Sequence, residues 1–168
     1  MNRIAVKHPF GPFVQKDSRI LILGSFPSVK SRENDFYYGH PQNRFWKVLA
    51  KVVCDDVPAD IKQKQDFLIR HKIALWDAIE SCSVIGSSDA SIQDVVASDL
   101  PSILKDSSIE KILVNGKTAE KIIRKAYPHL PVPVVLMPST SPANASWSLE
   151  RLTQRYFEEW IVVSESSE

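Results

Sequence analysis

Asn43 stands in Gly39-His40-Pro41-Gln42-Asn43-Arg44-Phe45-Trp46-Lys47-Val48-Leu49, where a turn, a polar triplet and an aromatic-led helix run into one another. The stretch reads as a site as well as a helix start. Pro41 suits a first helical position, whose N–H would be unpaired anyway, so a helix is expected from near His40 to Val53. Phe45, Trp46 and Leu49 commit one face of it to the core, leaving Asn43 at the rim beside the positive end. Taken alone, such an asparagine is more commonly a solvated first-turn residue. Asp77 is the second residue of interest, because it follows the apolar run Ile73-Ala74-Leu75-Trp76. A carboxylate there is costly without a partner, and when ionised it only accepts hydrogen bonds. A site residue and a turn or capping aspartate are equal alternatives.

The elements that must position these residues alternate. Arg19-Ile20-Leu21-Ile22-Leu23-Gly24, Ile73 to Trp76, Ile112 to Gly116 and Val132 to Met137 are short continuous apolar runs, as strands buried on both faces require. Pro133 should delay the start of the last strand. Helical patterns fall at Pro41 to Val53, Ala59 to Lys72, Lys117 to Tyr127 and about Ser148 to Val162, with Ser146 as a candidate cap. The expected fold class is α/β: three layers, α/β/α, around a central, mostly parallel four-stranded sheet. Such sheets bind ligands beyond the carboxyl ends of their strands. The segments there are Ser25 to Gly39, Asp77 to Ser91, Asn115 to Lys117 and Pro138 to Ser146.

The 168 residues, 43% hydrophobic and 24% charged, suit a single domain over 1–168. No apolar run is long enough for a membrane span, and the start lacks a secretory pattern, so a cytoplasmic protein is expected. Cys54 and Cys82 lack CxxC companions and read as buried free thiols, so neither a metal site nor another cofactor is expected. A net charge of +1 confines any nucleic-acid interface to a local patch, for which Lys117, Lys121, Arg124 and Lys125 are candidates; a solvated helix face is their more usual meaning. The missing Gly-x-Ser-x-Gly elbow argues against a serine hydrolase, and the missing glycine upstream of Gly116-Lys117-Thr118 against a phosphate-loop NTPase.

Four segments together carry a more specific signal. Gly24-Ser25-Phe26-Pro27, Tyr37 to Trp46, Leu75-Trp76-Asp77 and Pro138-Ser139-Thr140-Ser141-Pro142-Ala143 resemble the motifs of the uracil-DNA glycosylase superfamily, in detail those of its hypoxanthine-DNA glycosylase branch. The resemblance spans most of the chain from Arg19 onward. It implies hydrolysis of the N-glycosidic bond of a deaminated base flipped out of double-stranded DNA, by a monomer. The mismatch-specific uracil and thymine glycosylases carry a water-positioning asparagine in their first motif, where this chain has Phe26. In the hypoxanthine branch that role maps onto Asn43. Where the thymine enzymes have a wedge arginine, this chain has Ala143.

The resemblance assigns the remaining roles. Asn43 orients the water that attacks a sugar already cationic in character, while His40 donates to the departing base or caps its helix. Ser25, Phe26, Tyr38, Asp77 and Asn115 surround the base, with Tyr38 as a stacking face. Ser139, Thr140, Ser141, Ala143, Asn144 and Lys117 meet the DNA. A uracil or thymine mismatch glycosylase, and a non-catalytic module that binds damaged DNA, are the competing readings.

Overall fold

Leu21, Ile22 and Leu23 have no exposure although successive strand residues point to opposite faces, so their sheet is covered on both sides. The computed structural model describes residues 4–8, 11–25, 36–84 and 93–166. The sheet contains β2 (Ile20–Gly24), β3 (Ile73–Asp77), β6 (Lys111–Asn115) and β7 (Val134–Met137), in the order β3-β2-β6-β7. All three pairings are parallel, with Gly24 opposite Asp77 and Asn115 opposite Met137. The last strand does begin after Pro133, whose carbonyl accepts from the Ile112 N–H at 2.9 Å. At the other edge Phe13 pairs antiparallel with Leu75.

Helices α1 (Phe45–Val53), α2 (Ile61–Arg70), α4 (Lys117–Ala126) and α5 (Leu149–Ser166) agree with the sequence pattern in existence and type. Helix α1 packs on α5, α2 on β3, and α4 on β6 and β7. Helix α3 (Leu100–Lys105) was not anticipated; Asp99 caps it and Pro101 lies in its first turn.

Three local expectations are corrected. Helix α1 starts at Phe45, not near Pro41, because the Asn43 side chain accepts the Phe45 N–H at 2.9 Å while the Asn43 N–H bonds His40 O at 3.0 Å. Residues 40–43 are therefore a capped turn. Ser148, not Ser146, caps α5 by accepting from Arg151 N at 3.2 Å. Cys54 is exposed, not buried, in a left-handed conformation that ends α1.

A second sheet lies where the sequence reads as a ligand-side loop. β4 (Ile79–Val84) pairs antiparallel with both β1 (Ile4–Lys7) and β5 (Gln93–Ala97). The sequence Ile-Glu-Ser-Cys-Ser-Val lacks a sustained apolar alternation, which is why its strand was not legible. The Ala78 N–H bonds Gly24 O at 2.7 Å and the Ser98 N–H bonds Ala78 O at 2.9 Å, which welds this sheet to the carboxyl end of β2.

Candidate active site

Three side chains come together beyond the carboxyl ends of β6 and β7. Asn115 ends β6, and its Oδ1 accepts the Thr140 N–H at 3.1 Å while its Nδ2 donates to Thr140 Oγ1 at 3.1 Å. Thr140 follows β7, is fully buried, and donates its hydroxyl to Asn43 Oδ1 at 2.8 Å. The result is a relay from Asn115 through Thr140 to Asn43, and a hydroxyl is suited to its centre because it donates and accepts at once.

Asn43 Oδ1 thus receives both the Phe45 N–H and the Thr140 hydroxyl. The backbone donor fixes which end of the amide faces inward, so the Nδ2 group is turned away from the helix. Among the described residues nothing accepts from it. Arg44 holds the opposite wall: its guanidinium donates to the carbonyls of Ser141 at 2.9 Å, Asn144 at 3.1 Å and Trp147, and its own N–H bonds Thr140 O at 3.1 Å. Sequence reasoning missed this role. The signal available was an arginine directly beside the candidate asparagine.

Asp77 is buried, as expected for a residue needing a partner, and the partner is His8 Nε2, 2.7 Å from Oδ2. An ideal Cβ on Gly24 would lie 2.5 Å from Asp77 Oδ1 and 3.1 Å from the Tyr38 hydroxyl, so only glycine leaves room there. Tyr38 has φ +54°, a left-handed conformation uncommon for a tyrosine, and stacks on Phe45 with ring centroids 3.8 Å apart. It remains half-buried, one face covered by Phe45. Its hydroxyl is buried without a hydrogen-bond partner, beside Asn115 but outside bonding geometry. Burial first, then the charge of Asp77 and the neighbouring Tyr156, push its ionisation well above the ordinary tyrosine range, so it stays a neutral donor. Tyr37 is shifted the same way by burial and by Asp77, and its hydroxyl donates to Gly11 O at 3.0 Å.

The other expected residues divide. His40 is half-buried and its Nδ1 accepts the Gln42 N–H at 3.1 Å, so it caps the turn, and when neutral it carries its proton on Nε2. Ser25 follows β2 and is half-buried, its carbonyl bonded to the Ile79 N–H at 3.1 Å. Phe26 lies outside the described residues. Thr140 is fully buried and its hydroxyl is bonded to Asn43, so it does not lie on the surface expected to meet DNA. The Ser139 and Ser141 hydroxyls accept the N–H groups of Ser141 and Ala143 at 3.2 Å each, and Asn144 Nδ2 donates to Ser139 O at 2.9 Å. These bonds shape a turn that exposes Ala143, while Lys117 is exposed at the start of α4.

Residues 12–162 match the family model for the uracil DNA glycosylase superfamily. A hypoxanthine DNA glycosylase from Methanosarcina barkeri is 36% identical over 124 residues, covering 70% of this chain and 78% of the relative. One from Methanosarcina acetivorans is 31% identical over 152 residues, covering 87% and 93%. The solution NMR structure of a candidate uracil DNA glycosylase from Methanosarcina acetivorans superimposes with a TM-score of 0.75 at 28% identity, covering 92% of this chain and 99% of that one. No helix among the described residues is long and apolar enough to cross a membrane.

Proposed function

This chain belongs to the uracil DNA glycosylase superfamily and is a DNA glycosylase acting on deaminated bases, and within that activity we propose that hypoxanthine, flipped from double-stranded DNA, is its preferred base. The relatives named for hypoxanthine support the preference. The single observation that carries the site is the relay Asn115–Thr140–Asn43, which joins two motif segments and the end of β6 at one amide.

In this reading the base leaves the stack and lies against the open face of Tyr38, with its ring N–H toward Asp77. Breaking the N-glycosidic bond leaves a sugar of oxocarbenium character and a base that accumulates negative charge. Hydrogen-bond donors serve that charge; the Nε2–H of His40 is one. The water needs orientation more than deprotonation, because its target is already electron-poor. Asn43 supplies it through Nδ2, the polar atom of its amide that the internal hydrogen bonds to Oδ1 leave open. The turn at 139–144, held by Arg44, presents Ser139, Ser141, Ala143 and Asn144 to the DNA backbone, with Lys117 as a nearby charge. The protein acts as a monomer within the cytoplasm.

One observation favours a second reading. Both hydrogen bonds to Asn43 Oδ1 are internal, as a purely structural cap would have them. A module that binds damaged DNA without cutting it would show the same contacts. Single-turnover base release from duplexes carrying hypoxanthine, uracil or mismatched thymine separates the possibilities. Fastest release of hypoxanthine is expected; no release from any duplex beside retained binding in a titration would favour the binding module.

A further inference from the structure

His8 lies just beyond β1, ahead of residues 12–162 that carry the family match, yet it contacts the site more directly than many residues inside that match. Its backbone N–H bonds Glu80 O at 2.8 Å, continuing the β1–β4 pairing, and its ring lies 4.2 Å from that of Trp76. Both steer Nε2 to Asp77 Oδ2 at 2.7 Å, with side-chain exposures of only 2% and 5%. A carboxylate accepts and does not donate, so the proton in this contact belongs to His8. On the other side Gly24 leaves the space that Oδ1 occupies. Among the described residues Oδ1 accepts no hydrogen bond.

We infer that His8 is a positioning residue for base recognition: by holding Oδ2 it fixes the plane of the Asp77 carboxylate and reserves Oδ1 as the acceptor for the ring N–H of the flipped base. The inference rests on the reading of Asp77 as the residue that meets that N–H. An aspartate turns freely about its last bond unless one oxygen is tethered, and an untethered carboxylate presents its acceptor in many directions. His8 removes that freedom from outside the parallel sheet. The small antiparallel sheet thereby has a role in the chemistry: it delivers one imidazole to the floor of the site.

The test compares single-turnover release of hypoxanthine and of adenine, whose corresponding ring nitrogen is an acceptor, from otherwise identical duplexes. For His8→Leu the ratio of the two rates should fall about tenfold, the scale of one lost charge-assisted hydrogen bond. His8→Gln, whose amide nitrogen reaches about as far as Nε2, should keep the parent ratio. Asp77→Asn should lower the ratio too, and adding His8→Leu to it should lower it no further. An unchanged ratio in His8→Leu beside a lowered one in Asp77→Asn overturns the role of His8 and leaves the base-reading carboxylate standing. Unchanged ratios in both remove Asp77 from recognition and His8 with it. A parallel fall of both rates at constant ratio marks a structural contact only and also overturns the inference. Should His8→Leu not fold, His8→Gln and the shorter His8→Asn decide, since equal ratios in those two exclude a reach-dependent tether.

Discussion

Thr140 donates its hydroxyl to Asn43 Oδ1 at 2.8 Å, joining the loop after β7 to the turn before α1 across 97 positions of sequence. The contact sets the plane of the amide, and the Phe45 N–H fixes its orientation within that plane. Together they pre-organise a neutral group whose only open polar atom faces away from the helix.

Asn43→Ala should therefore remove most base release while DNA affinity stays within a few-fold, because orienting a water matters mainly in the transition state. Single-turnover kinetics beside a binding titration measure both. A parent-like rate would show that the amide is a helix cap and nothing more.

Thr140→Val keeps the shape of the side chain and deletes the centre of the relay. Asn115 Nδ2 loses an acceptor and Asn43 Oδ1 a donor, so stability should drop by about 1–3 kcal/mol and release should slow. Urea unfolding and the same kinetic assay report the two effects. A loss of stability with no loss of rate would separate the relay from catalysis.

Gly24→Ala tests the space beside Asp77. Its Cβ would lie 2.5 Å from Asp77 Oδ1, closer than any such contact is tolerated, so the carboxylate must swing away. The discrimination between hypoxanthine and adenine should weaken even where the fold survives. If discrimination is retained in the folded variant, Oδ1 does not face the base.

Glu159 gives a pH dependence far from the site. Burial pushes its ionisation up, but the hydrogen bonds from Lys111 and Arg155 outweigh that and hold it below the ordinary carboxylate value. A carboxyl lowered by folding stabilises the native state above its unfolded value and loses that contribution as pH falls through its folded one. The stability gap between the parent and Glu159→Gln should thus be present at neutral pH and close as pH falls below the ordinary carboxylate range through the lowered folded value, because Glu159 is then protonated and, like glutamine, uncharged. Urea midpoints across that range are the measurement. A gap constant with pH would mean that the pair contributes packing alone.

Continuous apolar runs made the parallel sheet legible, since strands buried on both faces leave an unmistakable mark on composition. The second sheet was not legible. Its strands are no shorter than those of the parallel sheet, but β4 mixes Glu80, Ser81 and Ser83 with its apolar residues and gains its place by pairing with β1, about 80 positions earlier, and local propensity carries no record of that.

The amino-acid sequence by itself determined the α/β alternation, the ends of the strands where a ligand would lie, and the residues Asn43, Asp77 and Asn115 among those that could do chemistry. It also determined, through four motif segments, the superfamily. Only the tertiary structure decided what each residue does there. Thr140 reads as a surface hydroxyl and is the buried centre of a relay; Arg44 reads as a helix cation and is the clamp on a loop; His8 reads as part of an N-terminal segment and is the partner of Asp77. The reason is that residue type sets what a side chain can donate or accept, whereas burial and the partner within about 3 Å set what it does. Those partners lie 25 to 103 positions away in sequence, and they meet only when the chain has folded.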